Sequence, residues 1–301
     1  MWFRNLQLYR LPVPWNLTLE QLESQLQRGV FQRCPSNEPM SRGWVSPRGD
    51  GALVYAQNRQ WLLALCTEQR LLPAAVVGDV VAERAAEMAA QNAFPPGRKQ
   101  LRELRERVTE ELMPKAFTRK HKTQIWINPQ QGWLGIDAAS PAKAEEVLEH
   151  LRWTLDEFPL ELLHTERSPV SAMADWLASG EAPTNFSIDR DCELKSISEE
   201  KAAVRYVRHS LEGEEIRAHL AAGKAPTRLA LTWNERISFI LTEKTEIKRL
   251  AFLDLLKEEA EKNIENADEQ FDADFAIMSG EFGRFLPDLI AALGGETKEA
   301  K

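Results

Sequence analysis

The sequence predicts an α+β fold in which helices pack on antiparallel strands, and three observations support this. Large apolar residues occupy every second position of residues 229–233 and 237–241, which is typical of strands with one buried face. Ala144, Val147 and Leu148 instead recur at helical spacing. With 301 residues, 43% of them hydrophobic, the chain can bury a sizeable core but exceeds what one compact core usually holds. We therefore expect two or three subdomains.

The first half of the chain predicts strands interrupted by a helical excursion. Thr18 and Gln21 have the spacing of a capping box, which begins a helix that ends at Gly29. Pro95-Pro96-Gly97 separates two helices of the excursion. The elements expected in this half are strands at 2–11, 43–45, 52–56 and 61–66, helices at 73–93 and 99–113, a hairpin at 124–127 and 133–137, and a helix begun by Ser140-Pro141.

The second half predicts a further antiparallel sheet and an acidic tail. From residue 254 onward there are thirteen Asp or Glu against five Lys or Arg. The elements expected here are a short helix at 173–177, strands at 202–209, 229–233, 237–241 and 246–252, a helix at 214–222, a helix at about 255–271, a strand at 275–278 and a helix at about 281–293.

A short basic tract stands out in a chain whose formal net charge is -8. Residues 98–122 hold nine Lys or Arg against four Glu, a net charge of +5. Within the tract, Phe117 follows the helix-breaking Pro114 and lies among cations. Basic groups with an interleaved aromatic suit a nucleic-acid backbone or a mobile interface. The alternative is a solvated charged face or a solubilising loop.

Other function classes lack their sequence signals. No phosphate-binding loop, dinucleotide fingerprint or zinc motif is present, so we expect no cofactor, no metal site and no catalytic residues. Cys34, Cys66 and Cys192 lie far apart, which favours reduced, buried thiols. No apolar stretch approaches the roughly 20 residues of a membrane span, and no export signal is visible, so we expect a cytoplasmic protein.

The acidic cluster at residues 268–274 superficially resembles a cation-binding loop. Asp272 and Asp274 lie in a run of carboxylates, but the run fails as an EF-hand because Ile277 stands where the loop needs glycine and Gly283 where it needs glutamate. A metal-dependent nuclease that uses Asp272 and Asp274 is kept as an alternative function.

Several segments, in their order and spacing, resemble the RdgC family of recombination-associated proteins from proteobacteria. The segments are WFRNLQLYRL from residue 2, Gly43-Trp44-Val45, LMPKAF from residue 112, LALTW from residue 229, and FDADF from residue 271 through MSGE from residue 278. No single motif among them is chemically diagnostic. The resemblance covers essentially the whole chain.

The resemblance implies a non-catalytic DNA-binding protein. Its horseshoe-shaped subunit has a helical tip, a centre and a base. Two subunits would make contact at both tip and base and so close as a ring-shaped homodimer around duplex DNA. The implied regions are a central α+β region of residues 1–72 and 124–165, a helical tip excursion of residues 73–123 with the basic tract, and an α+β base region of residues 166–301 with the acidic tail.

In the cell, the resemblance implies nucleoid association and sequence-independent binding of double-stranded DNA, with single-stranded DNA as a further partner. The protein would antagonise RecA-driven strand exchange during recombination and replication-fork repair. Pro95-Pro96-Gly97 and the glutamates of the tip helices depart from a uniformly lysine-rich tip, which predicts a smaller contribution of the tip to DNA contact.

Candidate DNA-binding residues follow from the basic tract and from the base region. Arg205 and Arg208 are three apart on a predicted strand, so at most one lines the bore of the ring, and we favour Arg208. In the tip helix, Glu103 and Glu106 could instead pair with the cations. The candidates are Lys115, Arg119, Lys120, Lys122, Arg208, Arg98, Lys99 and Arg102.

Phe117 is either a residue of the dimer interface or a core residue, and its basic surroundings favour the interface. A second reading of the whole chain is a protein-interaction module that inhibits the recombinase by direct contact, with the acidic C-terminal third imitating DNA.

Overall fold

The computed structural model describes residues 2–92, 94–196, 202–254, 256 and 266–297. Within these residues the chain forms two antiparallel sheets with helices packed on them, which confirms the predicted α+β class. The helices are α1 Leu19–Leu26, α2 Ala74–Asn92, α3 Arg98–Leu112, α4 Pro141–Thr154, α5 Pro169–Ser179, α6 Glu214–Ala221 and α7 Ala267–Ala292.

The first sheet contains seven strands and belongs to the N-terminal half. Its strands are β1 Gln7–Arg10, β2 Met40–Val45, β3 Val54–Gln57, β4 Gln60–Leu71, β5 Phe117–Asn128, β6 Trp133–Ile136 and β7 Glu161–Leu162. Their order is β2-β4-β5-β6-β1-β7, and β3 pairs with the first residues of β4. Strands β4 and β5 are both 12 residues long. Strand β2 flanks β4 as far as Gln69, whereas β6 flanks only residues 125–128 of β5.

The second sheet contains five strands in the order β12-β11-β10-β8-β9. Its strands are β8 Phe186–Ser196, β9 Ala203–Tyr206, β10 Lys224–Trp233, β11 Ile237–Thr242 and β12 Ile247–Phe252. The N-terminal segment links it to the first sheet, because Leu6 and Ile247 exchange backbone hydrogen bonds of 2.8 and 3.1 Å.

Helix α7 lies between the two sheets. The Phe282 ring lies 5.2 Å from that of Trp126 in the first sheet and 5.7 Å from that of Phe252 in the second, measured between ring centroids. One turn further on, Phe285 lies 5.0 Å from Phe239. The opposite face of the first sheet packs against α1 and α4, through residues such as Leu151. The two sheets therefore share one aromatic core built around α7.

Several local predictions are confirmed. Thr18 and Gln21 form the expected capping box of α1, and the Ser140 side chain accepts a hydrogen bond from the Lys143 amide at the start of α4. Cys34, Cys66 and Cys192 are free and buried, as expected for reduced thiols. Burial raises the pKa of the Cys192 thiol to about 12, so it stays protonated at neutral pH.

The predicted strand at 275–278 is wrong, because these residues lie inside α7. Phe275, Met278 and Phe282 recur at helical spacing and are all buried. Over four residues, however, alternation fits a strand as well, and only a longer window separates the two periods. The predicted helix at about 255–271 falls largely outside the described residues, and its last residues, 267–271, begin α7.

Other strands differ in length from the prediction. Strand β8 was missed because its residues are mainly polar, and only Cys192 and Leu194 are buried hydrophobic residues. The predicted strand at 202–209 shortens to Ala203–Tyr206. Strands β4 and β5 are longer than the predicted 61–66 and 124–127, because their extended ends are charged and lack the apolar pattern used to find them.

Candidate nucleic-acid interface

The last six residues of the basic tract, 117–122, form a strand rather than a loop. Residues 117–122 of β5 are all exposed, whereas residues 123–128 are buried or half-buried in the first sheet. The exposed half pairs with the end of β4, from Leu71 opposite Phe117 to Cys66 opposite Lys122. We call these paired residues, 66–71 and 117–122, the tip ribbon. Strand β2 flanks its β4 side as far as Gln69.

Two helices close the far end of the tip ribbon. Helices α2 and α3 connect β4 to β5 and bury a small core of their own, made of Val77, Val81, Leu104 and Val108. The Arg84 guanidinium adds an ion pair of 2.7 Å to Glu111 across the two helices. The two helices thus form a structural unit that is separate from the cores of the sheets.

Arg70 holds the start of β5 in place. Its guanidinium donates hydrogen bonds to the carbonyl oxygens of Met113 at 3.3 Å and Ala116 at 3.2 Å, directly before Phe117. The same side chain also donates to the carbonyl of Pro35 at 3.1 Å. The sequence did not mark Arg70 as a positioning residue, since its partners are backbone atoms that only the fold brings near.

Strand alternation divides the four favoured basic residues. Because successive side chains of a strand point to opposite faces, Phe117 and Arg119 lie on one face of the ribbon, and Lys120 and Lys122 lie on the other. The Lys120 ammonium lies 5.0 Å from the centre of the Phe31 ring, a cation–π contact. These cations therefore cannot all contact one surface of a ligand.

The fourth favoured residue, Lys115, lies in a short 3₁₀ turn, Met113–Lys115, before the ribbon. Its ammonium lies 3.5 Å from the Glu111 carboxylate. In α3, Lys99 lies 4.0 Å from Glu103. The structure therefore brings Lys115 near the ribbon but gives it an intramolecular partner.

The pairing expected in α3 is confirmed. The Arg102 side chain lies 3.1 Å from Glu106 and is 82% exposed. An exposed pair of this kind contributes at most about 1 kcal/mol and is easily exchanged for another partner. By contrast, Arg98, Arg119 and Lys122 have no ion-pair partner among the residues that the structure describes.

Phe117 is not a core residue of this chain. Its side chain is 86% exposed, and Leu71 directly across the ribbon is 48% exposed. Arg119 lies next along the same face, opposite Gln69, and Met40 continues that row on β2. The ribbon therefore presents exposed apolar side chains beside a cation. The sequence did not indicate Leu71 or Met40, because only the pairing of the strands brings them next to Phe117 and Arg119.

The predicted placement of Arg205 and Arg208 on one strand is wrong, since β9 ends at Tyr206. Arg205 hydrogen-bonds through its Nε to the Glu193 carboxylate at 3.0 Å. Arg208 has a left-handed backbone with φ 53°, and its amide donates to Asp191 at 2.8 Å. In the described ranges the Arg208 side chain has no ion-pair partner.

Glu193 is a buried, ionised carboxylate that pairs with Arg205 and Lys195. Burial alone would raise its pKa, but hydrogen bonds from Arg205, Lys195 and Thr227 outweigh burial and lower the pKa to about 2. Glu193 therefore stays ionised at any physiological pH. Its carboxylate holds the Arg205 and Lys195 side chains in place through ion pairs.

The candidate nuclease carboxylates serve separate structural contacts. Asp272 accepts a hydrogen bond of 2.7 Å from the Tyr55 hydroxyl and one of 3.0 Å from Arg48. Asp274 is buried and accepts a hydrogen bond of 2.7 Å from the Gln270 amide. Across the described ranges, no group of three or more His, Cys, Asp or Glu residues is arranged to hold a metal ion.

Over the same described residues, none of the helices combines the length and apolar character that a membrane crossing needs.

Comparison with known proteins agrees with the resemblance seen in the sequence. A family model described as "Putative exonuclease, RdgC" matches residues 1–296. The Recombination-associated protein RdgC of Dechloromonas aromatica (strain RCB) is 68% identical over 304 residues, with 100% of both chains covered. That of Herminiimonas arsenicoxydans is 53% identical, with 98% of this chain and 99% of the relative covered. The chain therefore belongs to the RdgC family of recombination-associated proteins.

Proposed function

We propose that this protein binds DNA without sequence preference, encircles the duplex as a homodimer, and restrains RecA-mediated strand exchange during recombination and replication-fork repair. The observation that carries the proposal is the tip ribbon, where Arg119 lies beside the exposed Phe117 and Lys122 lies on the opposite face. Neither cation has an ion-pair partner among the residues that the structure describes. The recombination-associated relatives support a role at DNA.

Electrostatics explains how a chain of net charge -8 can hold a polyanion. At cellular ionic strength, charges count strongly only within about 8–10 Å of a phosphate. A basic tract of net charge +5 that faces the duplex can therefore outweigh distant acidic residues. Lys and Arg contacts to phosphates fix position without reading bases, so binding would be indifferent to sequence.

Ring closure needs a contact between two subunits, and Phe117 supports one at the tip. In a two-fold symmetric contact, each Phe117 would be buried against the partner subunit together with the neighbouring Leu71. With the family's second contact at the base, the horseshoe-shaped subunits would enclose the duplex. Enclosure slows dissociation without tight contacts, because the ring must open before a closed circular DNA leaves.

Antagonism of RecA follows from occupancy, since a recombinase filament needs the same DNA backbone. The proposal places the protein on the nucleoid in the cytoplasm, with single-stranded DNA as a second partner. It includes no catalytic step, no metal and no cofactor. The competing interaction module would inhibit the recombinase with no measurable DNA binding, which a gel-shift assay with purified protein distinguishes.

A nuclease is the second candidate, and the wording of the family model favours testing it. Purified protein would be incubated with end-labelled linear duplex and Mg²⁺ or Mn²⁺. We expect no product. Cleavage that disappears in Asp272→Asn would overturn the non-catalytic proposal, although Asp272 is bound by Tyr55 and Arg48 in the structure.

The DNA-binding proposal is tested by the salt dependence of binding to a duplex. If about four to eight phosphates are neutralised, the slope of log K against log salt lies at roughly -4 to -7. Arg119→Ala with Lys122→Ala removes two cations and should reduce the slope by up to about 2, equally for all duplex sequences. A flat salt response in the wild type contradicts the proposal.

A matched control removes two cations elsewhere. Arg28 and Arg152 are half-exposed, and they pair with Asp156 and Glu145 respectively. Arg28→Ala with Arg152→Ala changes the net charge by the same amount. Because both arginines lie outside the tip ribbon, this variant should leave the slope unchanged. Equal effects of the two double variants would show that only net charge matters and that the tip ribbon makes no contact.

A further inference from the structure

The second sheet carries a concave basic site on the face turned away from α7. A cavity of about 150 Å³ opens there, between residues of β8, β9, β10, β11 and β12. We call it the arginine pocket, because Arg205, Arg228 and Arg249 line it together with Asp191 and Glu193. Three arginine residues from three strands thus line one small volume.

The strand register places two of the arginines in one row. Arg228 of β10 lies opposite Glu193 of β8, and Glu193 lies opposite Arg205 of β9. Directly opposed residues of antiparallel strands point to the same face, so the two arginines flank Glu193. Glu193 is only 5% exposed and bonds to both Arg205 and Lys195. Its single charge is therefore shared by two cations.

Arg228 adds an exposed positive charge to the pocket. It is exposed, and among the residues described here it has neither an ion-pair partner nor a side-chain hydrogen bond. The buried carboxylate beside it is already occupied by Arg205 and Lys195. Arg228 is therefore available to an external anion.

A β-bulge directs the third arginine into the pocket. In β12, Ala251 pairs with Ser238 and Lys248 pairs with Ile240, so Arg249 and Leu250 together oppose one residue of β11. Leu250 points inward and is buried, while the Arg249 side chain is 77% exposed. Bulges often redirect a side chain beside a functional site.

Arg249 also has an unfavourable backbone conformation. Its φ is 50°, in the left-handed region where a residue with a Cβ atom is strained. Strain of this kind is concentrated at ligand-binding sites. The Asp191 carboxylate, 3.7 Å from the Arg249 guanidinium, also accepts the amide of Arg208 and so ties that loop to the pocket.

We infer that the arginine pocket binds a phosphate group, supplied by the backbone of duplex DNA. The three arginines that line the pocket carry three positive charges against two from Asp191 and Glu193. Lys195, outside the lining, also pairs with the buried Glu193 carboxylate. Planar guanidinium groups match the oxygens of a phosphate and form paired, charge-assisted hydrogen bonds. The choice of DNA as the source rests on the proposed function, whereas the phosphate chemistry rests on the pocket itself.

The test compares two double variants. The pocket variant carries both Arg228→Gln and Arg249→Gln, and the control carries both Arg28→Gln and Arg152→Gln. Both double variants remove two exposed positive charges and leave Glu193 with its partners. The measured quantities are the salt slope of duplex binding and the protection of individual arginines from phenylglyoxal by DNA, read by mass spectrometry. Thermal unfolding checks that both variants are folded.

We expect the pocket variant to reduce the slope by up to about 2 and to lower affinity for all duplex sequences alike, with the control unchanged. In the wild type, DNA should protect Arg228 and Arg249 from phenylglyoxal but not Arg28 or Arg152. Should the wild type bind DNA while the pocket variant keeps its slope and neither arginine is protected, the pocket assignment is overturned and DNA binding stands.

A second arm separates DNA from free phosphate. Inorganic phosphate is titrated with the protein, and the broadening of its ³¹P resonance is measured for the wild type and both variants. If the wild type does not bind DNA, the proposed function fails, and broadening that is lost only in the pocket variant supports a site for free phosphate. No difference between wild type and pocket variant in that case overturns the site altogether.

Discussion

The Phe117→Ala variant tests whether Phe117 stabilises the fold of one subunit or the contact between two subunits. With 86% of the side chain exposed in the subunit, truncation should change the free energy of unfolding of the subunit by less than about 0.5 kcal/mol. Burial of one Phe side chain contributes about 1.5–3 kcal/mol. A symmetric contact buries two of them, so closure should lose about 3–6 kcal/mol, or roughly 10²- to 10⁴-fold in the dimerisation constant at the tip.

The assay follows retention on DNA of two topologies. Labelled protein is bound to closed circular duplex and to short linear duplex, and its dissociation is timed after a competitor is added. A ring should leave linear DNA by sliding off the ends and persist on circles. Phe117→Ala should remove that difference while the melting temperature of the subunit stays unchanged.

The reasoning is refuted in either of two ways. If wild-type protein leaves circles and linear DNA equally fast, the protein does not enclose DNA. If Phe117→Ala unfolds the subunit, Phe117 is a core residue in solution and its assignment to the interface is wrong. The control is Leu162→Ala, which truncates another well-exposed apolar side chain, on β7 at the edge of the first sheet, and should leave retention on circles unchanged.

Three further predictions concern stability and strain. Phe282→Ala removes a fully buried ring that joins both sheets, and chemical denaturation should show a loss of about 3–5 kcal/mol. Glu193 has its pKa lowered to about 2, so its stabilisation is complete above its ordinary value of 4.5 and is lost as the pH falls towards 2. Glu193→Gln should therefore flatten the acid limb of stability measured between pH 5 and 2, and unchanged acid unfolding would contradict the ion-pair assignment. Arg249→Gly should relieve the left-handed backbone and stabilise the protein by about 1 kcal/mol while weakening duplex binding; a loss of stability would show that φ 50° carries no strain.

The basic tract was visible in the sequence, but its faces were not. Alternation along a strand would have separated Arg119 from Lys120, yet the exposed end of β5 contains no apolar pattern that marks it as a strand. Its extended conformation comes from pairing with the end of β4 and from Arg70, whose partners are backbone carbonyls. Pairing across more than 40 residues of chain is a non-local effect that composition does not encode.

Local chemistry in the sequence determined the α+β class, the cap of α1 at Thr18, the amphipathic α4, the reduced thiols and the family. Each of these depends on neighbouring residues or on the order of segments. Only the tertiary structure decided that 275–278 belongs to α7, that Phe117 is exposed, and that Arg205, Arg228 and Arg249 share a pocket. The physical reason is that burial and convergence depend on strand register, on a bulge in β12 and on packing between two sheets, which bring together residues far apart in the chain.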